Sequence, residues 1–116
     1  MKRIVVLALA AAALALAGLG QAATPRLVGE VGPGFSIEVT KGGKDVKTLK
    51  RGTYKIKVVD KSSSHNFHLF GPGLNKKTGV SFKGTTTWTI KLKKGKYTYQ
   101  CDIHATVGMK GTFRVT

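Results

Sequence analysis

The chain is 116 residues long, room for one domain and no second. It carries 20 lysines and arginines against five acids, a formal +15 at pH 7, with three histidines, two methionines and one cysteine. A single cysteine excludes an intrachain disulfide, and aromatics that are not interleaved with the basic runs argue against nucleic-acid binding.

The opening stretch MKRIVVLALAAAALALAGLGQAA sets Lys2 and Arg3 ahead of an apolar run from Ile4 to Ala17, then turns to small residues. A charged start, an apolar middle and a small-residue exit predict a secretory signal peptide over 1–22. Gly20 and Ala22 suit cleavage after Ala22, with Ala15 and Ala17 an earlier alternative. The apolar run is short of the roughly 20 residues that cross a bilayer, so no stable membrane insertion is expected after cleavage. The protein is expected to be exported, to a periplasm or outside the cell, as a domain over 23–116. That domain keeps 18 cations against five acids, a formal +13. In an oxidising compartment its lone cysteine must be linked to another molecule, reactive, or held by a metal.

After the opening segment no helical period survives. RLVGEV (26–31) leads through GPG to FSIEV (35–39) and the turn TKGGK. TYKIKVVD (53–60) alternates Tyr54, Ile56 and Val58 against Lys55, Lys57 and Val59. HNFHLF (65–70) stops at a second GPG, TTWTIKL (86–92) turns at KKGK, and YTYQC (97–101) and GTFRVT (111–116) follow. About seven short strands of period two with no long linker predict an all-β sandwich or a barrel. Trp88, Tyr97 and Tyr99 read as core residues. Lys55, Lys57, Lys91 and Lys93 read as a solvated face that also discourages edge pairing, or as a docking surface for an acidic partner.

Chemistry concentrates in YQCDIHATVGMKG (99–111), where Cys101, His104 and Met109 lie close in sequence. Donors on one metal stand within roughly 4 Å of each other. On a continuous strand Cys101 and His104 would be about 10 Å apart and face opposite ways. They can share an ion only if a strand ends at Cys101, a loop carries His104 and Met109 opens the last strand. The fourth donor is His65 or His68. Three residues apart, these face opposite sides of a strand, and parity alone does not choose between them. His65 starts the run and is nearer a loop end. Soft sulfur suits Cu(I) and imidazole suits Cu(II), and two histidines, a cysteine and a long axial methionine form the blue-copper arrangement. Zinc gains little from a thioether. A coordinating thiol is held as thiolate, which would account for the lone cysteine.

GKYTYQCDIHATVGMKGTFRV (95–115) resembles the closing hairpin of the cupredoxins, in the plastocyanin and amicyanin branch, and HNFH (65–68) is similar to the His-Asn-apolar-His of amicyanins. The resemblance runs over roughly 35–116. It implies a Greek-key β-sandwich and a metal set of His65, Cys101, His104 and Met109 holding one copper ion. It implies also that Asn66 hydrogen-bonds the cysteine loop and that His68 is a bystander. Asp102 and Ile103 stand where Ser/Thr-Pro is usual, which predicts a less stiff loop carrying a charge beside the metal. Ser64 replaces a common Pro or Gly, and FGPGLNKKTG has no obvious plastocyanin counterpart.

The expected function is that of a monomeric one-electron carrier cycling between Cu(I) and Cu(II). The edge of His104 would reach the surface inside a collar that includes Ala105, Val107 and the 32–35 loop, and lysines would orient a redox partner protein with an acidic docking surface. The alternative is periplasmic copper delivery. Trafficking sites favour several methionines or cysteines, whereas Met109 is the sole methionine of 23–116. An enzyme is not expected: three histidines leave no second cluster, and Met109 would fill the open position a reductase needs.

Overall fold

Alternation of apolar and polar residues sets the facing of each strand. In β1 (Arg26–Val31) Leu27, Gly29 and Val31 turn inward, and in β5 (Gly52–Asp60) Tyr54, Ile56, Val58 and Asp60 do. β2 (Ile37–Lys41) buries Val39, β8 (Gly84–Leu92) Ile90 and Leu92, β9 (Gly95–Gln100) Tyr97, and β10 (Lys110–Val115) Phe113 and Val115. The computed structural model describes residues 23–116, so the signal peptide expected over 1–22 lies outside the described residues.

Three further strands are too short for alternation to show them: β3 (Lys44–Asp45), β4 (Thr48–Leu49) and β7 (Leu74–Lys77), which pairs with β6 (His68–Gly71). Among the described residues the only helical element is a 3₁₀ turn, Ala105–Val107, and no helix is long and apolar enough to cross a membrane. One sheet runs β3-β2-β1-β5-β8, the other β4-β10-β9-β6-β7. β1 with β5 and β4 with β10 are parallel, the remaining pairs antiparallel. The chain changes sheet between β3 and β4, returns between β4 and β5, and crosses again between β5 and β6, between β7 and β8 and between β8 and β9. This is the expected Greek-key sandwich, with its core between the two inner faces. Tyr97 is fully buried as expected, whereas Trp88 and Tyr99 are half-buried and pack against the core from its margin.

The long strands give the sandwich two distinct ends. β5 and β8 oppose Asp60 to Gly84 at one end and Gly52 to Leu92 at the other. β9 follows β8 after a two-residue turn, so Gly95 and its partner Val115 belong to the Gly52 end, and Gln100 and Lys110 to the Asp60 end. At the Gly52 end the Tyr97 hydroxyl donates to Pro72 O at 2.7 Å and accepts from Lys93 N at 2.9 Å, tying two turns together. The loops 61–67 and 101–109 leave from the Asp60 end. Phe67 from the first of them packs on Gly29 of β1, where any Cβ would collide with its ring.

Candidate metal centre

Two loops bring the donors together, and each is fixed by its own backbone. After β5 the chain bends back through short-range bonds: Ser62 N to Asp60 Oδ1 at 3.0 Å and Ser64 N to Ser62 Oγ at 3.1 Å. Phe67 is then pinned on both sides by Thr78, its N donating to Thr78 Oγ1 at 2.9 Å and its O accepting from Thr78 N at 3.0 Å. Between these anchors His65 points inward and is only 3% exposed. Residues 65–67 lie outside any strand, so strand parity never applied to His65.

The second loop closes on itself. Cys101 N donates to Met109 O at 3.0 Å, while His104 N reaches Cys101 O and Met109 N reaches His104 O, both at 3.2 Å. Gly108 ends the 3₁₀ turn at φ 101°, a left-handed conformation that glycine adopts without a Cβ penalty. The expected layout is met: β9 ends one residue before Cys101, His104 sits in the loop, and Met109 directly precedes β10.

The result is a triangle of donor atoms. His65 Nδ1 and His104 Nδ1 are 3.0 Å apart, and Cys101 Sγ is 3.7 Å from the first and 3.5 Å from the second. Among the described residues these three atoms make no hydrogen bond outside their own triangle. The spacing is that of ligands around one ion, whose bonds are a little over 2 Å. Imidazole, imidazole and thiol, all facing one point, fit a metal of intermediate softness and suit copper. Met109 and Cys101 are both fully buried, and the backbone bond between them sets the methionine across the hairpin from the cysteine. Phe35, 70% exposed, stands edge-on to both imidazoles, with ring centroids 5.6 Å from His65 and 4.9 Å from His104. With Val107 and Ile103 it forms an apolar rim around the half-buried His104. Ile103 was not in the expected collar, although it follows Cys101 by only two residues.

His68 lies outside the triangle, as expected, but it is not idle. It opens β6, where its Nδ1 donates to Asp102 Oδ1 at 2.7 Å and its Nε2 lies 2.6 Å from Asn75 Oδ1. Asn66 meets the same residue twice, accepting from Asp102 N at 2.8 Å and donating to Asp102 Oδ2 at 2.9 Å. Gln100 donates to Asp102 Oδ1 at 2.9 Å. The expected bond from Asn66 to the cysteine loop is therefore present. The expectation of a less stiff loop is corrected, because the carboxylate that replaces Ser/Thr is held from three sides. Burial works against its charge, but the hydrogen bonds from Gln100, His68 and Asn66 prevail and lower its pKa to about 2. Sequence alone could not show this network, since His68 and Gln100 become neighbours only through the β6–β9 register.

No family model matches the chain, and no curated protein matches its sequence. Solved structures do match. A copper protein, rusticyanin, is 26% identical with a TM-score of 0.62, over 83% of this chain and 80% of that one. Reduced rusticyanin is 28% identical with a TM-score of 0.60, over 83% and 81%. Rusticyanin from Thiobacillus ferrooxidans is 27% identical with a TM-score of 0.57, over 83% and 79%.

Proposed function

We propose that this chain, which has the cupredoxin fold and its His-Cys-His donor arrangement, is an exported blue copper protein that carries single electrons. The observation that carries this reading is the donor triangle of His65, Cys101 and His104, already assembled by hydrogen-bonded backbone. Met109 would be the fourth, weaker donor. Bound copper supplies a one-electron couple between Cu(I) and Cu(II).

The chain's own residues do the rest. His65 and Cys101 are buried, so water is kept from that side of the site, and His104 alone of the three is partly exposed. Its apolar rim offers a partner a dry contact. Lys77 and Lys110 lie in the last cross-strand row before the donor loop, with His68 and Gln100 between them. They would orient an acidic redox partner at the rim. Donors locked before the metal arrives need little rearrangement when its charge changes, which favours electron transfer over copper delivery. Nothing in the donor set calls for a substrate, so the protein is not proposed as an enzyme.

Titrating residues 23–116 with Cu(II), followed by visible absorption and electron paramagnetic resonance, tests the reading. An intense blue band should saturate at one copper, vanish in Cys101→Ser and survive in His68→Ala. No band in the unmodified protein, or its loss in the His68 variant, would overturn the ligand assignment.

A further inference from the structure

Half of the 18 lysines and arginines of residues 23–116 lie at the end of the sandwich remote from the metal centre. Segments 41–51 and 91–96 hold nine lysines and arginines against one acid, Asp45. All nine are exposed. They are separated in sequence but share one end, because the turn after β2, the approach to β5 and the β8–β9 turn all lie there. Loops at the donor end are different. Segments 32–36, 61–67, 78–83 and 101–109 carry two lysines, Lys61 and Lys83, and Lys61 is ion-paired with Glu30.

A partner exchanging electrons at His104 makes no use of this charged end. Eight residue-to-residue steps lead from Gly52 to Asp60, roughly 26 Å at the usual rise. Nine exposed like charges on one face repel each other, and an anionic surface would relieve that repulsion. The charges are spread over turns from both sheets instead of lining one groove, which suits an extended plane better than a narrow acidic segment. The chain also enters the fold here: Pro25 O accepts from Lys55 N at 3.0 Å, and Arg26 begins β1.

We propose that the Gly52 end docks on the anionic headgroups of a lipid bilayer, with the donor end turned toward the aqueous phase. The argument rests on where the charges stand, so it holds whether or not the site carries electrons. Contact is electrostatic and peripheral, and rising salt should release it.

Two triple variants of equal net charge separate placement from total charge. One is Lys93→Gln, Lys94→Gln, Lys96→Gln; the other is Lys77→Gln, Lys83→Gln, Lys110→Gln. All six lysines are exposed, and residues 23–116 contain both sheets and the whole described core, so folding of this portion should survive. Binding is measured by co-sedimentation with phosphatidylcholine vesicles, with and without phosphatidylglycerol. Phosphatidylglycerol vesicles should bind the unmodified protein, and pure phosphatidylcholine should not. Each lysine near such a surface is worth about fivefold, so the first triple should weaken binding on the order of a hundredfold. The second should weaken it less than about tenfold. Equal loss in both triples, no binding by the unmodified protein, or binding to an acidic protein surface without binding to the vesicles would each overturn the proposal.

Discussion

The two ends of this sandwich handle polar side chains in opposite ways. At the donor end they turn inward and satisfy one another: Asn66, 2% exposed, holds Asp102 and Thr78, and Asp102 is held in turn by His68 and Gln100. At the other end charged side chains turn outward, and the buried polar ties are two tyrosine hydroxyls, that of Tyr97 and that of Tyr54, which donates to Lys50 O at 2.7 Å. A buried polar group must find a partner or destabilise the fold, whereas an exposed lysine needs none. The donor end should therefore tolerate little change to its polar residues, and the charged end a great deal.

Asn66→Ala puts the largest strain on that contrast. It removes the acceptor for Asp102 N and the donor to Asp102 Oδ2, leaving part-buried groups without partners. A loss of about 2–4 kcal/mol is expected in denaturant unfolding of the metal-free protein. Lys94→Gln at the other end should stay within about 0.5 kcal/mol. Similar losses in the two variants would abolish the contrast.

Tyr97→Phe sharpens it from the opposite side. The ring stays packed against Phe113, centroids 5.5 Å apart, while Pro72 O and Lys93 N lose their common partner. About 1–2 kcal/mol should be lost by the same measurement. The blue band should keep its position and intensity, since the hydroxyl lies at the end away from the donors. A displaced band would show that the two ends are mechanically coupled.

What the sequence reveals divides along the same line. Strands of five or more residues announce themselves by alternation, and β1 matches its predicted bounds to the residue. The donors are legible because Cys101, His104 and Met109 share one loop, so spacing alone constrains them. Long-range placement is not legible. His65 could not be separated from His68 by parity, because the loop at 61–67, not a strand, aims it. Asp102 looked like a loosening substitution because two of its three holders, Asn66 and His68, lie 36 and 34 positions away and reach it only in the folded register. Total charge could be counted from the sequence, but its position could not. Lys41 and Lys94 are 53 positions apart and meet at one end only through the topology.

Asp60 is the exception to the donor end's tidiness, and it offers the smallest test. Its Oδ1 accepts from Ser62 N at 3.0 Å, but its Oδ2 is buried with no partner among the described residues. Burial pushes its carboxyl above the ordinary carboxylate value, more than the Ser62 bond and the positive charge His65 can carry pull it down. A raised folded value means that the folded chain binds this proton more tightly than the unfolded one. The resulting stability is complete below the unfolded value and is lost as pH rises through the folded one. Asp60→Asn removes that dependence. Against the unmodified metal-free protein it should be more stable near neutral pH and equally stable in acid, read from denaturant midpoints between pH 3 and 8. Parallel curves over that range would mean that the carboxylate is ionised without penalty, and the donor end would then hold a satisfied charge where the hydrogen-bond geometry shows a lone oxygen.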